Sequence, residues 1–122
     1  MEPGRLLVAK AGVLVALVTQ LKDKGDVHYV GIATGMNSLI RPALYGAHHD
    51  IRNLTRLDEA LSSRVSIVGP ICETADQLGT DRWLPPTAEG DVLLIANCGA
   101  YGYAMGSNYN LRPPAHEFII EP

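Results

Sequence analysis

Residues 13–21, VLVALVTQL, form a nearly unbroken apolar run rich in valine. Such a run predicts a strand buried on both faces. After the charged turn KDKGD, VHYVGIA resumes strand character. It sets His28, Val30 and Ile32 on one face and Tyr29, Gly31 and Ala33 on the other. The two runs predict a β-hairpin. Ahead of them GRLLVAKAG predicts one short helix ended by Gly12, with Pro3 and Gly4 at its start. VSIVGPI predicts a strand, DVLLIANCGAY a buried strand running into a glycine, and HEFIIEP a last strand. IRNLTRL reads as a strand, and DEALSSR as a polar loop or a single helical turn. In MNSLIRPALYGAHHDI, Pro42 excludes a long helix, which leaves a helical turn before it and an extended stretch after Tyr45. TADQLGTDRWLPPTAEGD reads as loop, broken by Pro85, Pro86 and Gly90, and GYAMGSNYNLRPPA as irregular. About six strands with fragments of helix predict a mainly β chain, an antiparallel barrel or sandwich.

Composition narrows the partners more than the fold. A chain of 122 residues with 47% hydrophobic and 19% charged residues predicts one globular domain. Its net charge of −3, with Arg and Lys dispersed, argues against nucleic acid or an anionic membrane as partner. No run is long and apolar enough for a membrane span, and no basic-then-apolar leader points to secretion. Cys72 and Cys98 could pair only once. Without a leader, free thiols and a reducing cytoplasm are the expectation. The chain passes from Met1 straight into EPGR and apolar residues, as though it began inside a larger body.

Four histidines raise the question of metal. His48 and His49 are adjacent, so on a strand they point to opposite faces, and His28 and His116 lie far off in sequence. Satisfied or surface histidines are the expectation, with no metal. The glycines of CGAYGYAMGS match neither a dinucleotide fingerprint nor a P-loop, although Tyr101 and Tyr103 between them are candidates for a ligand-facing rim. EPGR is different. A glycine before a short helix leaves amide N–H groups free at its positive end, and Arg5 adds a fixed charge, which makes a seat for an anion such as phosphate. In VGPICETAD, Cys72 and Glu73 read either as a buried thiol beside a surface acid, or as a proton donor beside a carboxylate that reads a cationic group.

Taken in order, EPGR, GMNSLIRPALYGAHH, VGPICETAD and CGAYGYAMGSNYNLRP closely resemble the C-terminal part of diaminopimelate decarboxylase, one of the pyridoxal-phosphate decarboxylases of the alanine-racemase fold type. The likeness covers nearly the whole chain and extends to the decarboxylase half of bacterial proteins fused to an aspartate kinase. It implies a Greek-key β-barrel with short helices over residues 1–122, with residues 1–12 resembling the last turn of a preceding TIM barrel. It implies a pyridoxal 5'-phosphate enzyme converting meso-2,6-diaminopimelate to L-lysine and CO2, with Cys72 as catalytic proton donor. Glu2, Pro3, Gly4, Arg5 and Tyr101 would hold the cofactor, and Arg5, Arg41, Tyr45, Glu73 and Tyr101 the substrate. An arginine fork suits bidentate capture of a carboxylate. The resemblance also implies an obligate homodimer in which Cys72 and Glu73 reach into the partner's site. Ala75, Thr34 and the tail RPPAHEF depart from the family pattern without removing a named residue.

In this family the lysine that bonds the cofactor belongs to the TIM barrel. None of Lys10, Lys22 and Lys24 matches it, so this chain alone is expected to be inactive and, lacking the barrel, to expose apolar surface and self-associate. Two further readings stand beside this one. The chain could belong to a decarboxylase or racemase for another basic amino acid, or be a β-barrel that binds a partner or anion without catalysis.

Overall fold

The computed structural model describes residues 3–121. Glu2, one of the expected cofactor residues, lies outside the described residues. The chain opens with α1 (Gly4–Val8), tightened into a 3-10 turn over Ala9–Ala11 that ends at Gly12. There follow β1 (Leu14–Lys24), β2 (Val27–Ile32), α2 (Arg41–Tyr45), β3 (Ile51–Asn53), β4 (Ser63–Val68), β5 (Gln77–Leu84) and β6 (Val92–Ile95). Single 3-10 turns at Tyr103–Met105 and Tyr109–Leu111 punctuate the irregular tail.

The strands form one sheet in the order β3-β6-β1-β2-β4-β5. Its two edges meet: a Cβ on Gly79 of β5 would lie 2.8 Å from Ile51 Cδ1 of β3. The sheet thus curls into a nearly closed, mainly β barrel with short helices, as the sequence predicts. The β1–β2 hairpin is antiparallel, and Gly25 at φ +60° makes its turn. Val18, Val30, Ile32, Leu39, Ile67, Leu78, Leu84, Leu93 and Ile95 fill the interior, each at most 2% exposed. Burying one such side chain stabilises the fold by about 1.5–3 kcal/mol.

Five expectations need correction. β2 and β4 run parallel, not antiparallel, because the long connection carrying α2 and β3 crosses back over the barrel. β1 is buried on one face only: Ala16 and Val18 point inward, while Val15 and Leu17 are about half exposed on the outside. The short helix begins at Arg41 with Pro42 in its first turn, where a missing N–H costs nothing, so Pro42 starts the helix and does not end one. Residues 77–84, read as loop, form β5, paired with β4. The register slips between Val65↔Arg82 and Ile67↔Gly79, and Asp81 takes φ +55°. That bulge breaks the alternation by which strands are recognised. The tail HEFIIEP forms no strand among the described residues, and Phe118, Ile119 and Ile120 are 87–92% exposed.

Candidate functional site

The residues singled out from sequence fall into two groups held by different means. The first is built on α2 and the start of the chain. Gly46, at φ +62°, closes α2 by donating to Pro42 O at 3.0 Å. That left-handed step releases the chain into an extended stretch on which His48 is exposed and His49 is 1% exposed. His49 Nδ1 lies 2.8 Å from Ala96 O, just beyond β6. Its Nε2 lies 3.2 Å from Arg41 Nη1. Burial lowers the His49 pKa below its usual 6.5, against the Ala96 carbonyl, which raises it. The charges of Arg41, Arg5 and His48 lower it further. The ring is therefore neutral and takes a proton from neither arginine.

The turn after β6 is riveted to the segment that carries Arg5. Cys98 N donates to Gly12 O at 2.8 Å and Gly99 N to Ala9 O at 3.1 Å. The backbones are so close that a Cβ on Gly12 would sit 2.6 Å from Gly99 Cα. Tyr101, exposed and at φ +60°, stands two residues beyond this rivet. The Cys98 thiol donates to Ile95 O at 3.2 Å. Burial pushes it up to about 11, with the Leu14 backbone and Arg41 pulling weakly the other way. Cys98 is thus an inert, packed thiol.

The second group is the loop after β4. Asp76, 3% exposed, turns back beneath it. Its Oδ1 accepts from Met36 N at 2.6 Å and its Oδ2 from Ile71 N at 2.7 Å. A Cβ on Gly35 or Gly69 would strike this carboxylate, so both positions require glycine. Asn110 Nδ2 donates to Ile71 O at 2.6 Å, Asn37 Nδ2 to Pro113 O at 2.9 Å, and Ser107 N to Asn37 O at 2.9 Å. Three distant stretches thus hold one small platform. On it stand Cys72, exposed and at φ +58°, and Glu73, also exposed. The Tyr109 hydroxyl donates to Glu73 Oε1 at 3.0 Å, and this bond raises the Tyr109 pKa above its usual 10.0.

The structure sets Arg41 against His49 at 3.2 Å, lets the charge of Arg5 act on the same ring, and ties the turn before Tyr101 to Ala9 and Gly12, just after the helix bearing Arg5. Cys72 and Glu73 share the other platform. Tyr45, at the end of α2, is 65% exposed. A groove of about 420 Å³ runs between α2 and the start of β5, lined by Pro42, Ala43, Thr74 and Ala75, immediate neighbours of Arg41 and Glu73. A larger groove of about 570 Å³ lies by the hairpin tip, against His28, Arg64 and Trp83. Neither is lined by Arg5, Arg41, Cys72 or Tyr101. Pro3 and Gly4 begin α1, with open space around the Cβ position of Gly4. Lys10, Lys22 and Lys24 are all exposed, so none sits in a dry pocket.

Sequence reasoning missed Asp76, Asn37 and Tyr109 and set His49 aside. The signal for Asp76 lay in Gly35 and Gly69, two glycines outside any tight hairpin. Nothing local marked the acceptors of the Asn37 side-chain N–H groups, the Arg112 and Pro113 carbonyls, which lie 75 and 76 residues away.

A family model described as pyridoxal-dependent decarboxylase, C-terminal sheet domain, matches residues 6–99. The diaminopimelate decarboxylase of Aquifex aeolicus is 45% identical over 121 residues, which span 99% of this chain and 29% of that protein. That of Pseudomonas aeruginosa is 47% identical over 120 residues, 98% of this chain and 28% of the relative. The crystal structure of the M. jannaschii diaminopimelate decarboxylase in co-complex with L-lysine superposes with a TM-score of 0.84 at 43% identity, covering 91% of this chain and 25% of that one. The chain therefore spans less than a third of these relatives. It belongs to the pyridoxal-dependent decarboxylases, as the C-terminal sheet domain of that family.

Proposed function

We propose that this chain is the C-terminal domain of a diaminopimelate decarboxylase, which converts meso-2,6-diaminopimelate to L-lysine and CO2 in lysine biosynthesis. The observation that carries this reading is identity of 45–47% to such enzymes over 98–99% of the chain. Bound pyridoxal phosphate would supply the electron sink that accepts the pair left behind by CO2. The residues present fit that group's phosphate: Gly4 and Arg5 offer helix-end amides and a guanidinium with open space beside them. Tyr101, exposed two residues beyond the turn bonded to Ala9 and Gly12, is the aromatic group that this reading sets at the same seat.

In this reading Arg41 and Tyr45 hold the substrate carboxylate, with Arg5 near them. Cys72 returns a proton to the alpha carbon. Glu73 pairs with the distal ammonium, which rejects substrates lacking it because a dry carboxylate would then stand unpaired. Cys72 and Glu73 face outward from a rigid platform, which supports a target on a second copy of the chain and hence a homodimer. The outer apolar surface of Leu6, Leu7, Val15 and Leu17 supports a covering body, the preceding barrel. Two unpaired cysteines support a reducing cytoplasm.

The test is turnover by the full-length protein that carries this chain, given pyridoxal phosphate and meso-diaminopimelate, with L-lysine and CO2 measured. The 122-residue chain should yield neither. Turnover by the chain alone, or preference by the full-length protein for ornithine or arginine, would overturn the reading.

A further inference from the structure

Arg41 is a buried cation, 8% exposed, and among the described residues it has no carboxylate partner. A buried charge without an opposite charge is costly unless an anion arrives to complete it. What holds its fork in place is an imidazole. The Ala96 carbonyl can only accept, so His49 Nδ1 must carry the hydrogen. Arg41 can only donate, so His49 Nε2 must be the bare nitrogen. Both contacts select one neutral tautomer, and the ring spans rigidly from the β6 backbone to one arm of the guanidinium. The other N–H groups of Arg41 remain for a planar anion. Three charges disfavour a positive ring, Arg41 from α2, Arg5 from α1 and His48 alongside, while the Asp50 carboxylate next in the chain is taken by His48 at 3.2 Å. The Cys98 thiol, 4.0 Å from Nδ1, stays neutral.

We propose that His49 is a positioning residue, whose neutral imidazole aims the Arg41 guanidinium at the substrate carboxylate. This rests on the reading of Arg41 as a carboxylate-binding group. Protonation would strip Nε2 of its lone pair and set two cations face to face, so carboxylate capture should weaken as His49 takes up a proton.

Two measurements test it. In the ¹⁵N-histidine spectrum of the full-length decarboxylase, the His49 signals, assigned by their loss in His49→Gln, should show the Nδ1–H tautomer and titrate below the ordinary value of 6.5. An Nε2–H tautomer, or an ordinary titration, overturns the proposal. In the full-length decarboxylase, Arg41→Leu, His49→Asn and His49→Gln are compared. Asn can still reach Ala96 but offers Arg41 no acceptor; Gln places an acceptor near Nε2. His49→Asn should raise KM by about tenfold, more than it changes kcat, and His49→Gln should recover most of that loss. If Arg41→Leu raises KM and His49→Asn does not, His49 is packing alone and the proposal fails. If Arg41→Leu leaves KM unaltered, it is the assignment of Arg41 that fails. His49→Asn and His49→Gln losing equally, in step with melting temperature, would also sink the positioning role.

Discussion

The Arg41–His49–Cys98 cluster and the Cys72–Glu73 loop are built by opposite means. In the first the functional groups themselves are buried, and their directions are set by side chains touching one another: guanidinium to imidazole, imidazole to the Ala96 carbonyl. In the second the functional groups are exposed and the scaffold beneath them is buried. Asp76 takes two backbone amides at 2.6 and 2.7 Å, and the loop above it is left to face outward. Under the proposed roles, a group that waits for a carboxylate gains from being dry and aimed. Under the same proposal, Cys72 and Glu73 must reach another molecule and so stand clear of their own chain, with rigidity placed one layer down. The two cysteines show the difference most directly, since one is packed to inertness and the other displayed on a strained backbone.

The largest effect that would sharpen this contrast comes from Cys72→Ala in the full-length enzyme. If Cys72 returns the proton as proposed, its loss should lower kcat by about 10²–10⁴-fold while the melting temperature stays put. A matching loss of stability would show that Cys72 is structural and erase the distinction. Next is alkylation. At neutral pH iodoacetamide should modify Cys72 about a hundredfold faster than Cys98, because a thiol near 11 is almost never a thiolate there. Mass spectrometry of the quenched peptides decides this, and equal labelling would refute the buried reading of Cys98.

Asp76→Ala should then cost about 1–3 kcal/mol of stability, since it leaves the buried Ile71 amide and the half-buried Met36 amide unpaired. Denaturant unfolding measures the stability. Turnover should fall with it, because the platform under Cys72 and Glu73 relaxes; full activity in a destabilised variant would argue that the platform has no role in aiming them. The smallest effect concerns acid. The folded pKa of His49 lies below 6.5 while the unfolded chain titrates at that value. Stability present above pH 6.5 should therefore decline as pH falls through the folded pKa, because only the unfolded chain takes up the proton at first. His49→Gln should flatten that part of the stability–pH curve. An unchanged slope would place His49 in wetter surroundings than Arg41 and Ala96 provide.

The legible parts of the fold were those whose burial follows a simple local period. The β1–β2 hairpin, β4 and β6 are apolar runs bounded by turn residues, and each is a strand. β5 escaped because a bulge at Thr80 and Asp81 shifts its inward face partway along, so that Leu78, Gly79 and Leu84 are buried without regular alternation. HEFIIEP misled in the other direction: its apolar residues have strand character but no neighbouring edge to pair with among the described residues. At the site, Cys72, Glu73, Arg41 and Tyr101 stood out because their strings resemble a family. His49 did not, because a histidine's partners are invisible until the chain folds.

By itself the sequence determined the local vocabulary: where the β1–β2 hairpin, β4 and β6 run, where Gly25 turns the backbone, and which residues carry a thiol, a carboxylate or a guanidinium. The tertiary structure alone decided that Met36 meets Asp76 across 40 positions, that Asn37 meets Pro113 across 76, and that Arg41 leans on an imidazole anchored to β6. The reason is physical. Periodicity records which side of an element faces the core, whereas a hydrogen bond between distant stretches depends on strand order and barrel closure, which no local pattern encodes.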